Sequence, residues 1–278
     1  MNINWFPGHM KKALDQIRQR LPQIDLCCEI LDSRIPLSSS NQLLEQVTKQ
    51  KKRLIILNKK DMADPSVTAQ WLFHFEKQGI RALALDAAKE NAAKKVRILA
   101  VEILKEELRR KEEKGIQNPE IRMLVFGIPN SGKSTFINMM SKKRSAKVGD
   151  RPGVTTGQQW IHARESFLLM DTPGILWHKL DPDQALHLAF TGAIRDEVLQ
   201  PAELGLRFLE NMLLIRPEDF LDRYQIQGDE TALEIMERMA RQSGCLLRGG
   251  EIDYDRIGKK ILDDFRKQRF GRISLERP

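Results

Sequence analysis

The feature that most constrains this chain is eight residues long. Gly127-Ile128-Pro129-Asn130-Ser131-Gly132-Lys133-Ser134 fits the pattern G-x-x-x-x-G-K-[ST]. An apolar run, Ile121–Phe126, precedes it, and helical character begins at Lys133. The glycines let the backbone curl so that several N–H groups converge on one anion, and the helix N-terminus adds its dipole. In such a loop Lys133 reaches the β- and γ-phosphates and Ser134 ligates Mg²⁺. A strand–loop–helix unit of this kind requires a sheet with a helix laid against it. It points to a nucleoside phosphate without specifying the base. A Gly-rich turn with an incidental lysine is the alternative.

Other segments bear on the base and the metal. Asn58-Lys59-Lys60-Asp61 follows the apolar strand Arg53–Leu57 and reads N-K-x-D. A carboxylate at Asp61 accepts from guanine N1–H and N2–H₂. Adenine offers neither donor, so the carboxylate would stay desolvated and unpaired. Asn58 is expected to support the base edge, and the Lys59 stem to pack on the ring. Asp171-Thr172-Pro173-Gly174 follows another apolar run and reads D-x-x-G; its Asp holds Mg²⁺ and its Gly N–H touches a γ-phosphate. Gly153-Val154-Thr155-Thr156-Gly157 offers Thr155 as a second hydroxyl for Mg²⁺, with Thr156 as the alternative and turn chemistry as a further reading of both. The residues expected to bind GTP, directly or through its metal, are Gly127, Asn130, Ser131, Gly132, Lys133, Ser134, Thr135, Thr155, Asp171 and Gly174. Ser134, Thr155 and Asp171 are the expected magnesium ligands.

Around these motifs apolar runs alternate with helical periodicity as far as about residue 178. Asp25–Leu31, Arg53–Leu57, Ala82–Leu85 and Ile121–Phe126 read as strands, and Gln158–Ala163 and Ser166–Met170 as two more about a turn at Arg164-Glu165. Residues 10–20 and Val67–Gln78 read as helices. Asn91–Lys114 reads as one long helix with Val96, Leu99, Ile103 and Leu108 on its apolar side. That alternation predicts a mostly parallel sheet covered by helices on both faces. After Trp177 the strand signals stop, and 183–199, 202–213, 217–224, 229–242 and 253–268 read as helices. The expectation is an α/β domain over residues 1–178 and an all-helical domain over 179–278, with Leu233, Ile235, Met236 and Met239 as core. No run approaches the roughly 18 apolar residues of a membrane span, and Met1–Gly8 lacks the pattern of a signal peptide. Cys27, Cys28 and Cys245 make neither a disulfide framework nor a zinc site. A monomer with buried thiols is expected, in the cytoplasm or, as the alternative, in an organelle matrix.

The motifs stand in an unusual order: N-K-x-D first, then the phosphate loop, the threonine segment and D-x-P-G. In the common order N-K-x-D is last. Circular permutation preserves a sheet when the old ends are joined and new ends open in a surface loop; residues 91–118 would make that join. Trp5-Phe6-Pro7-Gly8-His9-Met10 stands at the start and Asp32-Ser33-Arg34-Ile35-Pro36 after the first strand. Gly149-Asp150-Arg151-Pro152-Gly153-Val154-Thr155 precedes D-x-P-G. On these residues the chain resembles the circularly permuted GTPases of the ribosome biogenesis GTPase A (YlqF-type) family over nearly its whole length. The resemblance implies a circularly permuted P-loop GTPase domain followed by a helical C-terminal domain. It implies hydrolysis of GTP with Mg²⁺, and a role in late assembly of the large ribosomal subunit, whose precursor is the expected partner. Two departures stand out. The family's third base-contact segment is often S-A-K-like; here it is Ala87-Ala88-Lys89, which leaves Ala88 and Lys89 as GTP contacts without the serine hydroxyl. Asp32-Ser33-Arg34 replaces the more usual D-A-R.

The resemblance also bears on hydrolysis. Many GTPases place Gln after D-x-x-G to orient water, and Ile175 stands there instead. In similar GTPases the help comes from elsewhere, and the resemblance makes His9 the candidate, a neutral imidazole that orients the attacking water. Lys133 and Thr155 complete the expected catalytic set. The other reading of residues 5–10 is an anchoring arm. Asn130 stands where similar G-x-P-N-x-G-K-S loops coordinate potassium, so K⁺ joins Mg²⁺ as an expected ion.

Residues 1–178 carry 30 Lys+Arg against 19 Asp+Glu, and residues 179–278 carry 16 against 19. The basic surplus therefore lies with the nucleotide domain, including Lys142, Lys143, Arg144, Lys147 and Arg151. Ribosomal RNA is expected to meet that run and the basic last 23 residues, through phosphates and shape. Two other readings stay open. One is a nucleotide-dependent scaffold that does not hydrolyse, which Ile175 favours. The other is a membrane-linked GTPase switch, against which the lack of a lipidation motif counts.

Overall fold

The structure, a computed structural model, describes residues 7–141, 159–172, 180–194, 200–215, 217–226, 228 and 230–278, the side chains of 7–13, 159 and 219 excepted. The chain forms two compact units: Met1–Lys179 together with Glu276–Pro278, and Leu180–Leu275. The second unit is thus an insertion in the first, and its far end returns the chain there.

The first unit holds a six-stranded sheet in the order β3-β2-β1-β4-β6-β5. The strands are β1 (Leu26–Asp32), β2 (Lys52–Asn58), β3 (Arg81–Ala84), β4 (Ile121–Phe126), β5 (Gln159–His162) and β6 (Phe167–Asp171). All pairs are parallel except β5 with β6. Central β1 is buried at every residue, as a parallel strand covered on both faces must be. Side chains alternate between faces along a strand. Leu26, Cys28 and Ile30 join Val96 and Ala100 of α5 (Ala93–Ile103), Leu108 of α6 (Lys105–Glu113) and Phe136 of α7 (Lys133–Met140). Cys27 joins Ile17 of α1 (Pro7–Arg20) and Leu44 of α3 (Gln42–Thr48). Leu31 joins Val67, Trp71 and Phe75 of α4 (Pro65–Lys77).

The chain runs outward from β1 to β3 and then returns to place β4 on the other side of β1. Strand order therefore reverses between β1 and β4, and open α/β sheets bind ligands outside the carboxyl ends of strands at such a point.

Two expected helices differ from expectation and two short ones were not expected. The long helix over 91–114 breaks at Leu104 (φ −102, ψ 18) into α5 and α6. Core residues Val96, Ala100, Leu104 and Leu108 recur every four residues. On a 3.6-residue helix that spacing drifts by about 40° per step, and the break resets it. The helix expected over 183–199 stops at Phe190 as α8 (Pro182–Phe190), with Gly192 at φ 78 just beyond. The short helices α2 (Pro36–Ser39) and α3 had no expectation; Pro36 occupies the first turn of α2, where its fixed φ is favourable. Asn41 caps α3 by accepting from Leu44 N at 3.1 Å.

The second unit adds α9 (Pro201–Ile215), α10 (Glu218–Arg223), α11 (Ala232–Ser243) and α12 (Tyr254–Arg266). Phe208 packs against Phe190, Phe265 and Phe270. Gly205 of α9 meets Gly258 of α12 so closely that a Cβ at 205 would fall 2.6 Å from the Gly258 Cα. Ile235, Met236 and Met239 are core as expected, while Leu233 is exposed. Within the basic last segment Arg266 donates to the carbonyls of Phe190 and Ala189 at 2.9 and 2.7 Å, and Arg269 pairs with Asp264. Among the described residues no helix is long and apolar enough to cross a membrane. The three cysteines are buried and free, and burial pushes the Cys27 thiol up to about 12.

Candidate nucleotide site

Four of the expected segments converge at the carboxyl ends of parallel strands. Asn58 ends β2, Ala87–Lys89 follows β3, Gly127–Gly132 joins β4 to α7, and Asp171 ends β6. From Asn58 to Asp171 these segments span more than a hundred residues of sequence; sheet order brings them together.

The phosphate loop is held by its own geometry. Asn130 and Gly132 take positive φ, 59° and 89°. A Cβ on Gly132 would run into Asn58 Nδ2, and one on Gly127 would lie 2.6 Å from the Ile30 carbonyl and 2.8 Å from Ser131 Oγ. Both glycines are therefore required by close approach, and Gly132 by conformation as well. Ser134 and Thr135 are half-buried in the first turn of α7, beside amides that have no partner within the helix.

Asn58 does not present its amide to an open edge. Its Nδ2 donates to the Ser131 carbonyl at 3.0 Å and its Oδ1 accepts from Ala87 N at 3.0 Å. One buried side chain thus ties the phosphate loop to the segment after β3. Lys59, at φ 59, donates to the Asn130 carbonyl at 2.6 Å and to Asp32 Oδ2 at 2.9 Å. Asp61 accepts from Lys89 Nζ at 2.7 Å, and that hydrogen bond raises the pKa of the exposed Lys89 ammonium. Ala88 N donates to Asp86 Oδ1 at 2.9 Å.

Lys133 Nζ pairs with Asp171 Oδ1, both groups almost wholly buried. The other carboxylate oxygen, Asp171 Oδ2, is buried without a hydrogen-bond partner, as is Ser131 Oγ. A buried carboxylate oxygen left unmatched costs free energy unless something fills the position. Magnesium suits it, because Mg²⁺ takes one or two protein oxygens and completes its shell with phosphate and water. Thr172 Oγ1 donates to the Val125 carbonyl at 3.0 Å, which fastens the end of β6 to β4.

Expectations at Thr155, Thr156, Gly174 and Ile175 fall outside the described residues. His9 lies in the first turn of α1, and its side chain is likewise outside the described set.

Sequence reasoning gave no role to the Asp32-Ser33-Arg34 motif. Arg34, fully buried, grips the Asp32 carboxylate with Nε on Oδ1 at 3.0 Å and Nη2 on Oδ2 at 2.7 Å. Burial by itself would raise the Asp32 pKa; the charges of Arg34 and then Lys59 overcome it and hold the carboxyl well below the usual carboxylate range. The serine has its own place: Ser33 Oγ donates to the Asn58 carbonyl at 2.6 Å, a bond an alanine cannot make. An Asp and an Arg two residues apart after a strand could have signalled the pair. Nothing nearby in sequence could have signalled Glu276, whose carboxylate accepts from Leu37 N at 2.7 Å and from Ser38 N and Oγ.

A family model described as a 50S ribosome-binding GTPase matches residues 122–233. The chain is 42% identical over 283 residues to ribosome biogenesis GTPase A of Bacillus pumilus, covering 100% of this chain and 99% of that protein. It is 30% identical over 277 residues to ribosome biogenesis GTPase A of Thermotoga maritima, covering 99% and 95%. Among solved structures, GNP-bound YlqF from T. maritima aligns with a TM-score of 0.67 at 28% identity, over 96% of this chain and 98% of that one. A GDP-bound structure of TM YlqF aligns equally well, over 95% and 99%.

Proposed function

The chain belongs to the ribosome biogenesis GTPase A family, and from that membership we propose that it hydrolyses GTP as a factor in late assembly of the large ribosomal subunit. The observation that carries the nucleotide half of this reading is the Asn58 bridge. It joins the guanine-reading segment to the phosphate loop through bonds of 3.0 Å on either side. The ribosomal half rests on the relatives and on charge.

In this reading loop amides and the α7 N-terminus receive the phosphates. Lys133 turns from Asp171 to the β- and γ-oxygens, and Asp171 is left to face the cation with Ser134 and Thr155. Bound magnesium supplies charge neutralisation across those oxygens. Asp61 exchanges Lys89 for guanine N1–H and N2–H₂; the 70% exposure of the Lys89 side chain keeps that exchange inexpensive. Gly174 N–H meets the γ-phosphate, and His9 orients the attacking water. Asn130 is assigned to a monovalent cation, K⁺ in this proposal, on the likeness of Gly127–Ser134 to G-x-P-N-x-G-K-S loops that coordinate potassium. Hydrolysis equally fast in sodium and in potassium removes the last assignment.

The helical unit, Leu180–Leu275, is the ribosome-binding part of the proposal, with the basic run 142–151 as a second contact to ribosomal RNA. The protein works in the cytoplasm as a monomer. Co-sedimentation of the full chain with large-subunit precursors tests this directly. Nucleotide-dependent retention on precursors, and none on lipid vesicles, is expected; retention on vesicles alone defeats it. His9→Ala should keep GTP affinity and lose the precursor-stimulated part of turnover.

A further inference from the structure

Helix α2 has an N-terminal turn without a local cap: Ile35 at its N-cap position makes no side-chain cap bond, and Pro36 follows it. The donors of that turn would be orphaned in a buried setting. They are matched by Glu276, 238 residues further along the chain for Ser38. Its carboxylate accepts from Leu37 N at 2.7 Å and from Ser38 N at 3.1 Å, and also from Ser38 Oγ. Trp71 Nε1 of α4 donates to the Glu276 carbonyl at 3.2 Å. Glu276 is 8% exposed, and hydrogen bonds to an ionised, desolvated acceptor are the strong ones.

The same short helix ends in Ser39, whose Oγ accepts from Asp32 N at 3.0 Å. The Asp32 carboxylate holds Lys59 Nζ at 2.9 Å, and Lys59 Nζ holds the Asn130 carbonyl of the phosphate loop at 2.6 Å. From these contacts we infer that Glu276 is a positioning residue for the nucleotide site. It fixes the α2 turn, the turn fixes Asp32, and Asp32 sets the lysine that braces the phosphate loop. The inference rests on Gly127–Ser134 being the loop that binds guanine nucleotide. It gives the last residues of the chain, after the helical unit, a part in how tightly nucleotide is kept.

The test is release of a fluorescent GDP from the full chain, followed by stopped flow, with melting temperature recorded beside it. Glu276→Ala should speed release roughly fivefold, the change that loss of about one net hydrogen bond gives. Glu276→Gln keeps the volume and one acceptor oxygen and should fall between alanine and wild type; it also serves if the alanine variant folds poorly. Arg277→Ala, at an exposed neighbour, should leave release unchanged. Val67→Ala in α4 supplies the comparison for stability alone, because Val67 is core and takes no part in the bonded chain. If Val67→Ala with a matched drop in melting temperature speeds release as much, or if both Glu276 variants release GDP at the wild-type rate, the inference is wrong. Failure of the wild-type chain to bind GDP at all would overturn the phosphate-loop reading, and this inference with it.

Discussion

Asn58 Nδ2 donates to the Ser131 carbonyl at 3.0 Å, so the residue that opens N-K-x-D is a strut of the phosphate loop. The two stand 73 positions apart, and they meet because β2 and β4 both flank β1. Permuting the chain moved the ends of the polypeptide and left this contact available.

The strut leaves no room at Gly132. With φ at +89° and Asn58 Nδ2 against the missing Cβ, Gly132→Ala must shift either the loop or Asn58. Positive φ and the clash each cost on the order of 1–3 kcal/mol. GTP affinity by titration calorimetry should fall roughly tenfold or more, with far-UV circular dichroism unchanged. An alanine variant that binds GTP normally would show that the loop moves freely.

In the function proposed above, base choice is assigned to Asp61. An amide in its place can donate where guanine also donates, so Asp61→Asn should cost about 100-fold or more in GTP affinity. Xanthosine triphosphate, with a carbonyl at C2, should gain. Competition binding with GTP, XTP and ATP reads both changes; equal loss for all three bases would move Asp61 out of base recognition.

Asp32 makes stability depend on acid. Its folded pKa is depressed chiefly by Arg34 and Lys59, which outweigh burial. The stabilisation is therefore fully present above the ordinary carboxylate value of about 4 and is lost as pH falls towards the folded value. Asp32→Asn leaves Arg34 buried beside a neutral partner and should cost about 3–5 kcal/mol near neutral pH. Denaturant curves should show that gap constant from pH 7 to about 5 and narrowing below about 4. A gap that widens with acid would contradict the sign. Glu29 runs the other way: burial, the largest effect on it, raises its pKa, so it adds nothing to this acid loss.

Much of the fold was legible because its signals are local. Apolar runs marked all six strands, and Arg164-Glu165 marked the turn between antiparallel β5 and β6. Alternation of strand and helix gave a parallel sheet with both faces covered. The break at Leu104 was not legible: helical periodicity runs through it, and only the requirement that Val96, Ala100, Leu104 and Leu108 share one core forces it. At the site, motif spacing located the phosphate loop and the N-K-x-D turn. It did not reveal the Asn58 bridge, because its partners Ser131 and Ala87 are set by strand order and not by spacing. Arg34 and Glu276 act through partners that only the tertiary structure brings close. Thr155 and Gly174 lie beyond what the structure describes and stand on their motifs alone.

The phosphate loop, together with the guanine-selecting turn that precedes it in the permuted order, is proposed to turn over GTP. Single-turnover hydrolysis of γ-labelled GTP and ATP by the full chain, with Mg²⁺ and large-subunit precursors, tests it most directly, with Lys133→Ala alongside. Release of phosphate from GTP and not from ATP, abolished in Lys133→Ala, is the predicted result. Hydrolysis of ATP at the rate of GTP, or undiminished turnover in Lys133→Ala, would contradict it.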